Sequence, residues 1–252
     1  MLRHALRDGF RLIRNVIERL RHGARVELDG EVFDLPAWIP ASIRRALRDG
    51  SYEAPERRFV AAHLPSDLPV VELGGSIGVV GRFVGRKIGP GMRHLVVEAN
   101  PALGRTCART AKGEVDRPLE VITAAVAYGD GGAIWFKTSS GLLDSRVVAA
   151  GTPGAIAVPF VHLRELRDRL GGAGDYSLVC DIEGAEYELF SQPDAEFEGC
   201  RAAILEMHPS AYAARGASLA DFMALVAARG FELVERSDNV AAFVRPARRA
   251  GD

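Results

Sequence analysis

The sequence has few cysteines and no cysteine motif. Its three cysteines, Cys107, Cys180 and Cys200, are odd in number and far apart, and no two form a C-x-x-C arrangement. This spacing argues against a disulfide framework or a structural zinc site and is typical of a protein from a reducing compartment. Because Cys107 and Cys180 stand among apolar residues, we interpret them as small buried side chains rather than nucleophiles.

Long apolar runs and an excess of one charge are also missing. No uninterrupted apolar stretch is long enough to cross a bilayer, and no signal-peptide pattern opens the chain. The formal net charge is -1, so no overall field attracts the protein to nucleic acid or anionic lipid. We therefore expect a cytoplasmic enzyme or binding protein. At 252 residues, one α/β domain with additions fits better than two full domains.

A glycine-rich turn is the most informative feature that the sequence does contain. Residues 69–78 place an apolar run directly before closely spaced glycines, and a second apolar stretch follows. This pattern predicts a strand, a tight turn and a helix, in which glycines permit positive φ and let a ligand lie against the backbone. The helix would point free amide groups at that ligand. A nucleotide-type ligand is therefore the first hypothesis.

The residues around this turn favour S-adenosylmethionine over a dinucleotide. Ser76 stands where the dinucleotide fingerprint needs a glycine against the pyrophosphate, a group that S-adenosylmethionine lacks. Glu72 provides a carboxylate before the turn. Glu98 ends the next predicted strand, about 20 residues beyond the turn, as a ribose-binding carboxylate does. A plain tight turn with a solvated Glu98, and a nicotinamide oxidoreductase, are weaker alternatives.

Residues 1–65 are predicted to form an N-terminal cap. A basic amphipathic helix covers residues 6–20, a hairpin turns at Asp29-Gly30, and short helices cover residues 42–47 and 55–63. The first helix could bind an anionic membrane surface or a partner. We favour packing against the domain with the arginines in solvent, because amphipathic surface helices are commoner than membrane-bound ones.

Residues 66–245 alternate between predicted strands and helices. This alternation predicts a mostly parallel sheet with helices on both faces, and the two final strands predict an antiparallel edge hairpin. We expect one long strand over residues 119–127 and a mobile loop near the acceptor over residues 137–154, which are rich in Ser, Gly and Thr. Residues 246–252 are expected to be a disordered tail.

Ionisable residues gather at the carboxyl ends of the predicted strands. They are Glu72, Glu98, Asp181, Glu206 and His208. Ligands of open α/β sheets bind beyond these ends, so we expect the side chains to meet at one edge. Asp181 and Glu183 could simply mark a helix start, where acids are favoured. A functional role is the stronger hypothesis because of their shared edge.

Four segments together resemble the FkbM family of S-adenosylmethionine-dependent methyltransferases. They are VELGGSIG at residues 71–78, VEANP at 97–101, CDIEGAE at 180–186 and EMHP at 206–209. The resemblance covers residues 52–244. The chain departs from the family in having Glu72 and Gly74-Gly75 where Asp and Gly-Ala are usual, and Ala99 where Pro is common. The resemblance implies a Rossmann-like class I methyltransferase sheet and O-methyl transfer to a sugar or a polyketide-type secondary metabolite.

We assign candidate site residues on this combined basis. The predicted cofactor-binding residues are Glu72, Gly74, Gly75, Ser76, Gly78, Glu98, Ala99, Asn100, Ala124 and Asp181. The predicted catalytic residues are His208, Asp181 and Glu183. His208 is the first candidate base, because a neutral imidazole can accept a hydroxyl proton near physiological pH, and Asp181 is the second. A magnesium or manganese ion held by Asp181, Glu206 and His208 is a minority hypothesis.

Two other function classes stay open. A nucleic-acid methyltransferase could use the N-terminal arginines to bind phosphates, although the near-neutral charge disfavours it. A non-catalytic cofactor-binding module could recruit a partner or membrane through the N-terminal helix. The expected acceptor is a small or glycosylated molecule, and the sequence is compatible with an oligomer.

Overall fold

The computed structural model describes residues 25–113, 118–128, 132–138, 145–172 and 174–246. The predicted basic helix at residues 6–20 and tail residues 247–252 lie outside these ranges. The chain divides into two compact units between Ala54 and Pro55. The predicted boundary lay later, after residue 65.

The described part of the first unit is a hairpin followed by a helix. Strands β1 (Arg25–Leu28) and β2 (Glu31–Asp34) pair antiparallel, which confirms the predicted hairpin. Asp29 and Gly30 both have positive φ, as a two-residue hairpin turn of this kind requires. Helix α1 (Ala41–Arg48) carries the buried Arg44, whose guanidinium donates to the carbonyl oxygens of Leu35 and Pro36. These bonds fix the segment that joins the hairpin to the helix.

The second unit contains two sheets, seven α-helices and one short 3-10 helix (Asp194–Phe197) within the described residues. In chain order its elements are α2 (Ala54–His63), β3 (Val70–Leu73), α3 (Val79–Lys87), β4 (His94–Val97), α4 (Pro101–Lys112), β5 (Leu119–Ile122), β6 (Ala125–Val126), β7 (Ala133–Thr138), β8 (Ser145–Val148), β9 (Ile156–Val161), α5 (Leu163–Leu170), β10 (Tyr176–Cys180), α6 (Glu186–Ser191), β11 (Cys200–Glu206), α7 (Pro209–Ala213), α8 (Leu219–Ala228), β12 (Glu232–Ser237) and β13 (Val240–Val244).

The main sheet has seven strands in the order β12-β13-β11-β10-β3-β4-β5. Strands β11, β10, β3, β4 and β5 pair parallel, and β13 is antiparallel to both of its neighbours. The mostly parallel sheet with a terminal hairpin is thus confirmed. The chain builds outward from β3 to β5 and then returns to β10 on the other side of β3. Strand order therefore reverses between β3 and β10, where open α/β sheets bind their ligands.

Alternating side chains of the sheet pack against helices on both faces. Val179 of β10 and Ile204 of β11 pack with Phe59 and Val60 of α2. The neighbours of these two residues along each strand pack on the opposite face against α5, α6 and α8; they are Leu178, Cys180, Ala203 and Leu205. Because side chains alternate along a strand, the positions two residues beyond Val179 and Ile204 point toward the α2 side. These positions are Asp181 and Glu206.

The region after β4 differs from the sequence prediction in two places. The single strand expected over residues 119–127 is divided into β5, in the main sheet, and β6, in a separate sheet of order β6-β9-β7-β8. The mobile loop expected over residues 137–154 is wrong for residues 137–138 and 145–148, because β7 and β8 form an antiparallel pair there. Four-residue strands such as β8 are too short for their alternation to outweigh a Ser/Gly/Thr-rich composition.

The cysteines match their prediction. Cys107 and Cys180 are 0% and 1% exposed, and both are free thiols. Burial raises the pKa of Cys180 well above its ordinary value, which disfavours the nucleophilic thiolate.

No helix in the described ranges is both long and apolar enough to span a membrane.

Candidate functional site

The glycine turn after β3 lies between β4 and β10. The backbone amides of Gly74 and Gly75 donate to the Val97 carbonyl at 2.9 and 3.2 Å, and the Asp181 amide donates to the Leu73 carbonyl at 2.9 Å. Gly74 has φ +88°, and a Cβ there would lie 1.6 Å from the carbonyl oxygen of Asp181. No side chain fits at this position. The turn and the Asp181 backbone are therefore in direct contact.

The turn leads into α3 through two residues with left-handed backbone. Ser76 has φ 46°, which is uncommon for a residue with a side chain, and Gly78 has φ 84° at the start of the helix. A Cβ on Gly78 would lie 2.9 Å from the carbonyl oxygen of Cys107 in α4. The backbone here is held in a conformation that favours glycine, with α4 packed closely behind it.

Glu98 joins the turn to the end of β4. One carboxylate oxygen accepts a hydrogen bond from the Ser76 amide and the other from the Asn100 amide, both at 2.7 Å. Burial raises the pKa of Glu98 to about 6, Glu72 contributes in the same direction, and the two backbone hydrogen bonds oppose the shift. A carboxylate oxygen has two lone pairs, so both oxygens keep capacity to accept from vicinal hydroxyls.

The structure does not place Glu72 at the open edge of the site. Its side chain is 2% exposed, and one carboxylate oxygen lies 2.7 Å from His94 Nε2. The same oxygen would lie 3.0 Å from a Cβ on Gly81, so the carboxylate is under α3. Strand alternation explains this, since residue 72 shares its face with Val70. The Glu72 carboxylate is therefore buried between β4 and α3. The expectation that it faces the cofactor crevice is wrong.

Three other predicted cofactor residues have different surroundings in the structure. Asn100 caps α4 by accepting a hydrogen bond from the Ala102 amide at 3.0 Å. Ala124 is 1% exposed and belongs to the core, and Ala99 is half-buried next to Glu98.

The second part of the site is a cluster around His208. Its Nδ1 lies 2.9 Å from Glu186 Oε1, while its Nε2 lies 3.6 Å from Asp181 Oδ1 and 3.4 Å from Glu183 Oε2. Side-chain exposure rises from 0% at Glu186 through 17% at His208 and 31% at Asp181 to 59% at Glu183. The ring thus has one nitrogen toward the core and the other toward the open side.

Glu186 is a site residue that was not predicted, although it is the last residue of the CDIEGAE segment. Its Oε1 accepts from His208 Nδ1 and from Tyr212 Oη at 2.6 Å, and its Oε2 accepts from the Gly184 amide at 2.8 Å. A Cβ on Gly184 would lie 2.4 Å from the Ala211 Cβ, so the loop bearing Glu186 packs directly against α7. The sequence feature that could have identified Glu186 is its position in the same short motif as Asp181.

The charges around His208 change its protonation. Burial disfavours the imidazolium, but the hydrogen bond and charge of Glu186, with the charges of Asp181 and Glu183, outweigh burial and raise the pKa of His208 to about 9. The imidazolium is then the main form at neutral pH. This corrects the expectation of a neutral imidazole near physiological pH.

Replacing Glu186 with Gln is expected to lower the pKa of His208, because the substitution removes the negative charge that contributes most to the shift. The measurement is an NMR titration of the His208 ring protons in protein freed of divalent ions by chelation. Tyr212→Phe is the matched control, since it removes a hydrogen bond to the same carboxylate and leaves its charge. An unchanged His208 pKa in Glu186→Gln would contradict the assignment.

Glu206 completes the cluster from the end of β11. Burial, Asp181 and Glu56 raise its pKa to about 8, and His208 acts in the opposite direction. Ligand atoms of Asp181, Glu206 and His208 all lie within 4.8 Å of one another. The structure thus brings together the three residues that were predicted as metal ligands.

Comparison with known proteins points to one family. A family model described as the methyltransferase FkbM domain matches residues 74–233. Comparison with curated proteins gives no match.

Several solved structures are similar to this chain at low identity. Magnesium protoporphyrin IX methyltransferase (ChlM) from Synechocystis PCC 6803 with bound SAM is 13% identical, over 81% of this chain and 84% of that one, with a TM-score of 0.45. A ribosomal protein L11 methylase from Lactobacillus delbrueckii subsp. bulgaricus is 11% identical, over 78% and 80%, with a TM-score of 0.46. The 23S rRNA methyltransferase ErmE is 15% identical, over 77% and 68%, with a TM-score of 0.43. Similarities this distant do not bear on the acceptor.

Proposed function

The chain belongs to the FkbM methyltransferase family, and from this premise we propose that it transfers the methyl group of S-adenosylmethionine to a hydroxyl of a sugar or secondary metabolite. Family membership makes it an S-adenosylmethionine-dependent methyltransferase with a Rossmann-like class I sheet. The hydroxyl acceptor, its chemical class and the residue roles below are the proposal.

One contact carries the proposal. The glycine turn touches the Asp181 backbone at Gly74, and the Asp181 carboxylate belongs to the His208 cluster. A methyl donor lying over the turn would therefore have polar, proton-accepting side chains beside it. This is the arrangement that methyl transfer to a hydroxyl needs, because the acceptor must be aligned with the methyl group and must lose a proton.

The reaction requires little of the protein beyond alignment and proton removal. An acceptor oxygen forms a bond to the methyl carbon as the carbon–sulfur bond breaks, the sulfonium becomes a neutral thioether, and the hydroxyl proton leaves. Asp181 is the proton acceptor that we assign, and Nε2 of His208 lies beside its carboxylate. Since the imidazolium prevails at neutral pH, Asp181 takes this role in the cation-free protein.

On the donor side, we assign Glu98 to the ribose hydroxyls and the Gly74–Gly78 backbone to the rest of the cofactor. A protonated Glu98 has lost one acceptor, so cofactor affinity should fall as the pH drops below about 6. About one tenth of the Glu98 carboxyl groups stay ionised one unit below the pKa. The Kd for the cofactor should therefore be about tenfold higher at pH 5 than at pH 7. Calorimetry across this range measures it.

Glu98→Gln is the control for this titration. It should bind the cofactor more weakly at pH 7 and show no change in Kd between pH 7 and pH 5. A wild-type Kd that stays constant over the same interval would contradict the assignment of Glu98 to the ribose.

The site chemistry disfavours a nucleic-acid acceptor. Asp181 and Glu183 lie on the proposed acceptor side, where their charges would repel a phosphate backbone. The N-terminal arginines on which this alternative depends lie outside the described residues. Binding to RNA that weakens steeply with salt would revive it.

The proposed function is tested in two steps. Calorimetry should first detect heat with S-adenosylmethionine, and a panel of glycosylated metabolites should then be screened for a mass gain of one methyl group. An acceptor methylated on nitrogen or carbon, or on RNA, would overturn the hydroxyl assignment.

A further inference from the structure

Helix α2 places a buried carboxylate beside the His208 cluster. Phe59 and Val60 pack the helix against β10 and β11, so its first turn lies close to the ends of these strands. Glu56, in that first turn, is 8% exposed. Its Oε2 is buried and has no hydrogen-bond partner among the described residues. A buried carboxylate oxygen with no partner is costly unless a proton or a cation compensates it.

Glu56 meets Glu206 directly. Glu56 contributes to the raised pKa of Glu206, which places the two carboxyl groups side by side. Asp181 adds a third carboxylate to the same place. Three carboxyl groups this close can all be ionised only if more positive charge is present than the single His208 imidazolium provides.

We propose that Glu56, Asp181, Glu206 and His208 bind one divalent cation, with Glu56 as a ligand contributed from outside the family motifs. The cation would replace the shared protons of the cluster. The spacing of Asp181, Glu206 and His208 and the unpartnered buried oxygen of Glu56 support the binding, whereas its role in lowering the pKa of the acceptor hydroxyl rests on the proposed function.

The orientation of His208 fits a metal ligand. Metal-binding histidines usually donate the N–H of their second nitrogen to a carboxylate, which fixes the ring and its tautomer. Glu186 accepts this bond from Nδ1, and Nε2 then faces Asp181. Glu186 is fully buried and also bonded to Tyr212, so the ring is held in place before any cation binds.

The donor set indicates which cation fits. Carboxylate oxygens with one imidazole nitrogen are ligands that suit manganese or magnesium. Zinc sites built from thiolates and calcium sites built only from oxygens use other donor sets. Adjacent ligands of an octahedral ion at about 2.1 Å lie about 3 Å apart, and opposite ones about 4.2 Å apart. The ligand atoms of Asp181, Glu206 and His208, all within 4.8 Å of one another, need to move only slightly to match.

The experiment measures Mn²⁺ binding to the full chain after chelation. Electron paramagnetic resonance follows the loss of the free Mn²⁺ signal, with neither cofactor nor acceptor present. Wild-type protein is expected to bind one Mn²⁺ per chain. Glu56→Gln is expected to raise the Kd for Mn²⁺ by at least about tenfold, because it removes one charged ligand.

Glu235→Gln is the matched control. Glu235 pairs with Arg58 and His63 of the same helix, so this variant disturbs the docking of α2 without removing a proposed ligand. It should bind Mn²⁺ like the wild type. Absence of Mn²⁺ binding at millimolar concentration, or equal Kd values for Glu56→Gln and wild type, would overturn the proposal.

A separate readout distinguishes this proposal from the proposed function. If methyl transfer to a hydroxyl persists undiminished after exhaustive chelation and no Mn²⁺ binds, the cation site fails while the methyltransferase function stands. If Mn²⁺ binds at the four residues and no hydroxyl acceptor is found, the site stands and the proposed acceptor chemistry fails.

Discussion

His208→Ala is expected to lower kcat for methyl transfer by about 10²- to 10⁴-fold, the usual contribution of a positioned proton-transfer group. Its Nε2 faces Glu183 and Asp181, the proton acceptor that we assign, so the variant removes both the positive charge beside that carboxylate and one proposed cation ligand. The affinity for S-adenosylmethionine should be unchanged, because the cofactor residues that we assign lie on the glycine turn and β4. Steady-state kinetics and calorimetry on the same preparation measure the two quantities.

His63→Ala serves as the control for this variant. His63 also bonds to a carboxylate, that of Glu235, and its side chain is similarly covered, 23% exposed against 17% for His208. Its loss should leave kcat unchanged. A His208→Ala enzyme with wild-type kcat would show that the cluster takes no part in the reaction.

Gly74→Ala is expected to abolish cofactor binding and to lower the free energy of unfolding by about 2 to 5 kcal/mol, the sum of left-handed strain and overpacking. The added Cβ would lie 1.6 Å from the Asp181 carbonyl oxygen, which is backbone and cannot rotate away. Either the turn or the end of β10 must shift. Urea unfolding and calorimetry with S-adenosylmethionine measure the two effects.

Gly91→Ala separates strain from collision. Gly91 has φ +82° and nothing within 4 Å of an added Cβ, so it carries a similar backbone strain without a steric conflict. Its unfolding free energy should fall by only about 1 to 2 kcal/mol, and its cofactor affinity should not change. Equal losses in the two variants would contradict the close contact at Gly74.

Local sequence signals predicted the elements that position the site. The Asp29-Gly30 hairpin, the glycine turn, the Asn100 cap and the strands before Asp181 and His208 each depend on neighbouring residues. Their common edge followed from the rule for parallel sheets.

Local sequence patterns could not predict contacts between distant parts of the chain. Glu72 ends up under α3 because the face that a side chain takes depends on strand alternation and on which helix covers that face. Glu56 meets Glu206 only because apolar residues of α2 pack on β10 and β11. The acidic residue nearest to His208, Glu186, was visible within a motif, but its burial could not be inferred from a position that also suits a helix start.

Asp181 takes part in both halves of the site. Its main-chain oxygen lies under Gly74, and its carboxylate, only a few covalent bonds away, faces the imidazole of His208. With the donor over the turn and the acceptor beside the His208 cluster, as we propose, a displacement of the Asp181 backbone would move both binding surfaces together. Donor binding at the turn would thereby affect the acceptor site through one residue, without a domain movement.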